Sequence, residues 1–482
     1  SDGEVIVHLY EEAGEALAGR LRGMFALAVW DQNRSRLLLA RDRLGMKPLV
    51  YVEKGGALWF ASEAKALADV WRPRLQPAEL RRYLSYGYLP GNQVLGLNRL
   101  PPGHRLIWEG GATRLEPYGA VSSPETGRSL KLEEALGEAV RLRLVADVPV
   151  GSFLSGGLDS SLVTALMRQE GARDLHSFSI AVQGMDETPW ARRVSDHLGT
   201  LHHEREVGPA MLEQLPEAMA HLDEPLGDPA YLPNLELARL AREQVKVCLS
   251  GDGADEAFLG YRRYAWIAKY GKGEMPFKGL WRRLGLRRWG LSPAARYGEI
   301  LFLCSDAEAE TLLAPGFRGA PSPCRDLEAI PWREGVRAFQ AFDYGTYLPE
   351  DILAKVDRSS MAASLEVRSP FLDPEVQAAA AALPVRRLMG KAPLKEIARR
   401  YLPPALGDRP KQGVDLPLAA WLGQGRGQKL LDRLGGPSPW FCTAALKSLL
   451  ERTERGDARA ALQLYMVLAF LGWARGRAIL AG

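Results

Sequence analysis

Two stretches of the chain set glycine, hydroxyl and carboxylate side by side in a spacing suited to phosphate chemistry. The first runs Phe153-Leu154-Ser155-Gly156-Gly157-Leu158-Asp159-Ser160-Ser161-Leu162-Val163, between two apolar runs. The second, Leu249-Ser250-Gly251-Asp252-Gly253-Ala254-Asp255-Glu256, follows the apolar segment that starts at Val245. Glycine lets the backbone approach an anion closely, and successive N–H groups can line an anion nest. A helix opening just after such a loop adds its positive N-terminal end. Serine hydroxyls supply further hydrogen bonds. The plain structural alternatives are a strand-to-helix turn with a glycine pair and a charged turn with an acidic helix start.

Two familiar phosphate loops are excluded. A Walker A loop needs G-x-x-x-x-G-K-[ST], and no lysine follows here; a dinucleotide fingerprint needs G-x-G-x-x-G, and the spacing fails. Asp159 separates the first loop from both. A carboxylate in a phosphate nest repels its ligand unless Mg²⁺ bridges them, so the loop predicts a metal-bound polyphosphate. Two acidic glycine loops, each after a strand, are costly together without cations.

The elements around these loops read as follows. Residues 3–11 are helical, and residues 23–62 are β-rich, with strands at 24–30, 37–40, 49–52 and 57–61. Lys54-Gly55-Gly56 signals a hairpin. Ser62 is read as the N-cap of a following helix. Pro101-Pro102-Gly103 turns the chain into a strand ending near Trp108. Residues 119–130, rich in Gly, Ser, Thr and Pro, read as a linker between residues 1–118 and 131–482. Beyond it a helix (131–145) leads to strands at 150–154, 176–182, around 201–207 and 245–251, alternating with helices near 159–170, 190–198 and 233–244. That alternation predicts an α/β domain: a mostly parallel sheet with helices on both faces. From about 258 onward the pattern is helical, a helical tail to the sheet. In open α/β sheets ligands sit beyond the carboxyl ends of the strands, which is where both loops lie.

Ser-Gly-Gly-x-Asp-Ser after a strand is similar to the pyrophosphate loop of ATP pyrophosphatases, which split ATP between the α and β phosphates. The segments LDEPLGDPAYLPNLELARLAREQVKVCLSGDGADEAFLGYRRY (222–264), DILAKVDRSSMAASLEVRSPFLD (351–373) and KQGVDLPLAAWL (411–422) closely resemble glutamine-hydrolysing asparagine synthetase. LRGMFALAVWDQNRSRLLLARDRLGMKPLVY, from Leu21 on, looks like the later half of that family's α+β N-terminal-nucleophile glutaminase domain. The resemblance covers nearly the whole chain.

It implies ATP and Mg²⁺, with L-aspartate as acceptor and ammonia or glutamine as nitrogen source. Aspartate's β-carboxylate attacks the α-phosphorus, giving β-aspartyl-AMP and pyrophosphate; ammonia then displaces AMP. By this resemblance Asp159 and Asp255 hold Mg²⁺ against the triphosphate. Ser155, Gly156, Gly157, Leu158, Ser160, Ser250 and Gly251 border the nucleotide, and Leu154 and Ile180 contact adenosine through backbone groups. Lys411 takes the position of the family's synthetase lysine. Asp252 is the candidate for taking a proton from ammonia, where some family members carry Glu, and Glu256 joins it among the catalytic candidates. Arg358 and Arg368, with Asp357 and Glu366 beside them, line the substrate site or form a structural ion-pair network. Lys391 and Lys395 are weaker candidates for ligand contact, and Leu222 to Pro225 with Asp228 for the aspartate pocket.

The family's glutaminase half uses an N-terminal cysteine whose α-amino group serves as base. Here the match opens on an internal segment, with Asp2 at the position that binds glutamine's amino group. The four cysteines, Cys248, Cys304, Cys324 and Cys442, lie far from that end. The resemblance therefore implies an N-terminally truncated domain, no glutamine hydrolysis, and use of free ammonia. A β-lactam-forming ligase on the same scaffold and an inactive nucleotide-binding homologue are the alternatives.

Bulk properties agree with a globular enzyme. The chain has 482 residues, 46% apolar and 25% charged, with net charge +4, too small for its length to imply nucleic acid. The basic clusters at 281–283 and 287–289 read as solvated helix faces. No apolar run reaches the roughly 18 residues that span a bilayer, and the cysteines form no CxxC pair, so a reducing, cytoplasmic setting is expected. A homodimer is compatible with the resemblance.

Overall fold

The computed structural model describes residues 3–119, 130–185, 188–270, 293–403, 416–436 and 438–481. Asp2, Lys411, nearly all of the 119–130 linker and the basic 281–289 segment lie outside the described residues.

Residues 3–119 build two four-stranded antiparallel sheets. Helix α1 (Glu4–Ala13) precedes β1 (Ala26–Asp31) and β2 (Arg36–Arg41). Strands β3 (Val50–Lys54) and β4 (Ala57–Ala61) are joined by Gly55 and Gly56, whose φ of +63° and +76° fit the two-residue hairpin turn. Then follow β5 (Arg74–Leu75), α2 (Pro77–Tyr86), β6 (Gln93–Val94), β7 (Leu97–Arg99), β8 (His104–Glu109) and β9 (Ala112–Pro117). The sheet orders are β1-β2-β8-β9 and β4-β3-β7-β6. Strand alternation sorts the side chains. Leu37, Leu39 and Leu106 face Leu49 and Tyr51 of the second sheet, while Leu38, Ala40 and Ile107 face Ile6 and Leu9 of α1. Ser62 does not cap a helix. Only a short 3-10 turn, Ala64–Leu67, forms there, and Glu63 precedes it without a capping side-chain bond.

Beyond the linker, α3 (Leu132–Leu144), β10 (Val150–Phe153), α4 (Leu158–Gln169), β11 (His176–Val182), α5 (Thr188–Leu198), β12 (Leu201–Val207), α6 (Leu215–Ala220), α7 (Tyr231–Arg242) and β13 (Val247–Leu249) alternate as expected. One strand is unforeseen: β14 (Glu366–Arg368) lies in the stretch expected to be helical and completes the sheet. The order is β12-β11-β10-β13-β14, and all neighbouring pairs are parallel. Alternating side chains feed two cores. Cys248, Val367 and Phe178 pack with Ala238 and Ala241 of α7 on one face; Leu249 and Leu154 pack with Leu162 of α4 and Ala191 of α5 on the other. The fold is thus α/β, a parallel sheet with helices on both faces and a helical tail, behind an α+β region. The tail's apolar helix Ala458–Ala474 is buried over most of its length and accepts a hydrogen bond at the Met466 carbonyl from the Tyr83 hydroxyl of α2 (2.7 Å). Among the described residues no helix is long and apolar enough to cross a membrane.

This topology fixes where a ligand can bind. From β10 the chain adds β11 and β12 on one side, then crosses to add β13 on the other. The strand order reverses between β10 and β13. Such a switch point opens a crevice at the carboxyl ends of the strands.

Candidate active site

Both glycine loops leave the sheet at that crevice. Strands β10 and β13 run in register, Val150 beside Val247 and Ser152 beside Leu249, so their loops emerge together. The Leu154 amide still donates to the Phe178 carbonyl (2.8 Å), which extends the β10–β11 pairing one residue into the loop. Gly156 then turns at φ +71°, where a Cβ would lie 2.5 Å from the Ala191 nitrogen. Only glycine fits that turn. The Ser155 and Ser160 hydroxyls are 3.0 Å apart, and the Ser155 amide donates to the Ser160 hydroxyl (3.2 Å). Asp159 occupies the first turn of α4.

The second loop is anchored by the Ser250 amide, which donates to the Arg368 carbonyl (2.9 Å). A Cβ on Gly251 would lie 2.9 Å from the Asp159 Cβ and 3.0 Å from the Ser160 nitrogen, so the two loops touch through this glycine. The short helix Ala254–Ala257 then carries Asp255 and Glu256.

The carboxylates converge on one cation. Lys391 Nζ lies 2.5 Å from Asp159 Oδ2 and 2.9 Å from Asp255 Oδ1. Around this centre opens a cavity of about 660 Å³, inside the size range of small-molecule sites. Leu154, Ser155, Gly157, Leu158, Asp159, Ser160 and Ile180 border it from the first loop and β11; Ser250, Gly251, Asp252, Asp255 and Glu256 border it from the second. Gly156 shapes the loop from behind and is not on the wall. Lys395 is on the wall, as is Asp228.

Burial and charge tune these groups. Burial, reinforced by Asp255, pushes the Glu256 carboxyl up to about 7. The Tyr261 hydroxyl donates to Glu256 Oε1 (2.7 Å). Burial raises Asp252 as well. Asp228 is ion-paired to Lys355; burial opposes its ionisation, yet Lys355 holds it below the usual carboxylate range. Tyr261 and Tyr347 form an aromatic wall, backed by Arg263, whose guanidinium carbon sits 4.1 and 4.5 Å from their ring centroids and which pairs with Asp343 at 3.0 Å.

Three of the expected residues lie elsewhere. Arg368 Nε pairs with Glu366 Oε1 (2.8 Å), and its Nη1 donates to the Arg143 and Val145 carbonyls (2.8 and 2.9 Å), tying β14 to the end of α3. Arg358 donates to Asp223 Oδ2 (2.8 Å) and to the Ser62 carbonyl (3.1 Å). It borders a separate cavity of about 80 Å³ between residues 41–50 and the helix Ala354–Ala362. The structural alternative, an ion-pair network, describes all three. Conversely, Lys355, Tyr261, Tyr347 and Arg263 were not singled out from sequence. Lys355 had one local signal, an acid four residues earlier at Asp351, which it approaches to 3.9 Å.

Among the described residues no group of three or more His, Cys, Asp or Glu converges as a protein-only metal site. Asp159 and Asp255 offer two hard oxygen donors at one point, already holding an ammonium. This fits Mg²⁺, which binds through one or two carboxylates and completes its shell with phosphate oxygens and water.

Comparison with known proteins agrees with this architecture. The asparagine synthase family model matches residues 131–475, and a glutamine amidotransferase domain model matches residues 1–119. The chain belongs to the asparagine synthase family, whose activity is ATP-dependent asparagine synthesis. It is 33% identical to a putative asparagine synthetase [glutamine-hydrolyzing] of Mycobacterium tuberculosis over 98% of this chain and 79% of that protein. It is 31% identical to asparagine synthetase [glutamine-hydrolyzing] 1 of Bacillus subtilis over 88% of this chain and 72% of that one. A solved allosteric regulatory enzyme of purine biosynthesis matches 43% of this chain and 53% of its own at 15% identity, with a TM-score of 0.19. The amidotransferase match spans residues 1–119, so a glutamine amidotransferase domain is present. The expectation of a truncated domain lacking glutaminase activity draws no support from it.

Proposed function

We propose that the cavity binds ATP with Mg²⁺ and L-aspartate, and that the chain forms L-asparagine through β-aspartyl-AMP, releasing AMP and pyrophosphate. The observation that carries this reading is the meeting of two acidic glycine loops on one cation at the sheet's switch point. Polyphosphate fits the nest of the first loop and the N-terminal end of α4. The backbone near Leu154 and Ile180 takes adenosine. Asp159 and Asp255 hold Mg²⁺, which neutralises charge on the phosphate oxygens.

A free carboxylate is a poor acyl donor, and adenylation gives it a good leaving group. The aspartate oxygen bonds to the α-phosphorus as the α–β bridging bond breaks. Ammonia then bonds to the acyl carbon, and the C–O bond to AMP breaks. The second step needs a proton acceptor, and Asp252 and Glu256 both face the cavity. Lys411 is assigned the cation that stabilises charge on the α-phosphate and the tetrahedral oxyanion. Asp228, Lys355 and Asn234 border the part of the cavity assigned to aspartate. The nitrogen reaches the site as ammonia, supplied free or by amide hydrolysis in the 1–119 domain, where Asp2 is assigned to glutamine's amino group. In this reading Arg358, Glu366 and Arg368 lie off the cavity, in ion pairs with Asp223 and with each other, and do not serve the substrate.

The test is product analysis with ATP, Mg²⁺, aspartate and either ammonium or glutamine. AMP, pyrophosphate and asparagine are expected in equal amounts. ADP and inorganic phosphate would overturn the adenylation. Pyrophosphate release with another amino acid in place of aspartate would favour a different ligase on this scaffold.

A further inference from the structure

Lys391 sits where the two carboxylates would hold a metal, and three features show that its place is built. The residue has φ +61°, and Gly390 before it has φ +64°. A non-glycine residue in that region is uncommon and clusters at functional sites. This turn is pinned to the segment after the second loop: the Lys391 amide donates to the Phe258 carbonyl and the Gly390 amide to the Leu259 carbonyl, both at 3.2 Å. Finally, Gly260 clears the path. A Cβ there would lie 2.1 Å from both Lys391 Cε and Asp255 Oδ1. The lysine thus threads a slot that only glycine leaves open, and its side chain is 7% exposed.

We propose, resting on the ATP–Mg²⁺ reading of the cavity, that Lys391 is a resident counter-cation that Mg²⁺–nucleotide displaces. Without ligand, the ammonium keeps Asp159 and Asp255 from repelling one another and holds the two loops closed. Lys391 brings one positive charge to these two carboxylates, and Mg²⁺ brings two. Free Mg²⁺ takes both carboxylates from the ammonium without supplying a new partner for it. Mg²⁺ arriving with a triphosphate brings its own acceptor, because lysine's flexible stem lets the point charge swing onto phosphate oxygens. Lys391 therefore makes metal binding conditional on nucleotide. Metal and ammonium compete for one seat, so the coupling is reciprocal.

Two measurements on the full chain test this. The first is Mn²⁺ titration without nucleotide, followed by the EPR signal of free Mn²⁺. Wild type binds weakly, Lys391→Met binds on the order of tenfold tighter or more, and adding Asp255→Asn to that variant removes the gain. Equal Mn²⁺ affinity in wild type and Lys391→Met overturns the proposal. The second uses wild type alone, so it does not depend on a variant folding. Carbodiimide coupling in the ligand-free protein joins Lys391 to Asp159 or Asp255, and Mg²⁺ with α,β-methylene-ATP suppresses that cross-link in proportion to nucleotide bound. If the nucleotide binds and the cross-link persists, the role of Lys391 falls alone. If Mg²⁺–nucleotide does not bind at all, the reading of the cavity falls with it.

Discussion

Two sets of buried ion pairs hold this molecule, and they do different work. One lies in the cavity: Lys391 between Asp159 and Asp255, and Lys355 against Asp228. The other lies where residues 3–119 meet the synthetase fold, and two of its pairs cross between them. Asp373 takes Arg22 (2.8 Å) and Arg143 (2.9 Å), Lys47 meets Asp357 (2.9 Å), and Arg358 meets Asp223 (2.8 Å). Both sets are largely buried. In the cavity, however, each pair borders open space that a ligand can enter. At the junction Asp223, Asp357 and Arg358 border only the cavity of about 80 Å³, where Arg41 on the same wall donates to the Leu100 (2.9 Å) and Gly45 (2.9 Å) carbonyls. In the reading proposed above, the cavity charges exchange with ligand while the junction charges hold the fold. The helix Ala354–Ala362 displays the contrast on a single element, with Lys355 toward the cavity and Asp357 and Arg358 toward the junction.

Substitutions should separate the two sets. The largest expected effect is Asp159→Ala, which removes a carboxylate proposed to hold Mg²⁺: pyrophosphate release falls on the order of a thousandfold or more while the circular-dichroism spectrum is kept. Retained turnover would remove Asp159 from the site. Next comes Asp373→Ala at the junction. Its side chain is 1% exposed, and its loss leaves the buried Arg143 guanidinium without its carboxylate and Arg22 with Glu138 alone, at about 3–5 kcal/mol of stability, measured by urea unfolding. The same contact sets an acid limit. Burial opposes ionisation of Asp373, but Arg143 and Arg22 hold its carboxyl below the usual range. Its stabilisation is therefore complete above the unfolded value, about 4, and is lost as pH falls through the lower folded value. Asp373→Ala should flatten that acid limb.

A smaller effect is expected from Gly260→Ala. The new methyl pushes Lys391 or Asp255 aside, costing about 1–3 kcal/mol and weakening Mg²⁺–nucleotide binding with the fold retained. Unchanged affinity by calorimetry would mean the slot is not needed. The smallest is Glu366→Gln. This half-exposed partner of Arg368 is worth about 0–1 kcal/mol, and turnover should not change. A collapse of aspartate-dependent turnover would return Glu366 to the substrate site.

The parallel sheet was legible because strand and helix periods alternate plainly, and both loops announce themselves through glycines beside acids. Strand β14 was not, since three residues between helices carry no period. Its identity comes from pairing with β13 more than a hundred residues earlier. The same holds for Glu366 and Arg368, whose charges left a substrate contact and an ion-pair network both open, and which in the structure pair with each other and with the backbone of α3. Lys391, named by resemblance only as a weaker candidate for ligand contact, shows the limit most clearly. Its contact with Asp159 spans 232 residues, and its neighbours in sequence, Gly390 and Ala392, give no sign of it. What sequence did supply was the need for a cation between two acidic loops, and the fold supplies lysine.

The central claim is that both loops form one site that activates a carboxylate on the α-phosphorus of ATP. Aspartate labelled with ¹⁸O in its β-carboxylate tests it most directly. With ATP, Mg²⁺ and ammonium, the account predicts one ¹⁸O in AMP for each asparagine formed and none in pyrophosphate. Unlabelled AMP, or label in inorganic phosphate, would contradict it.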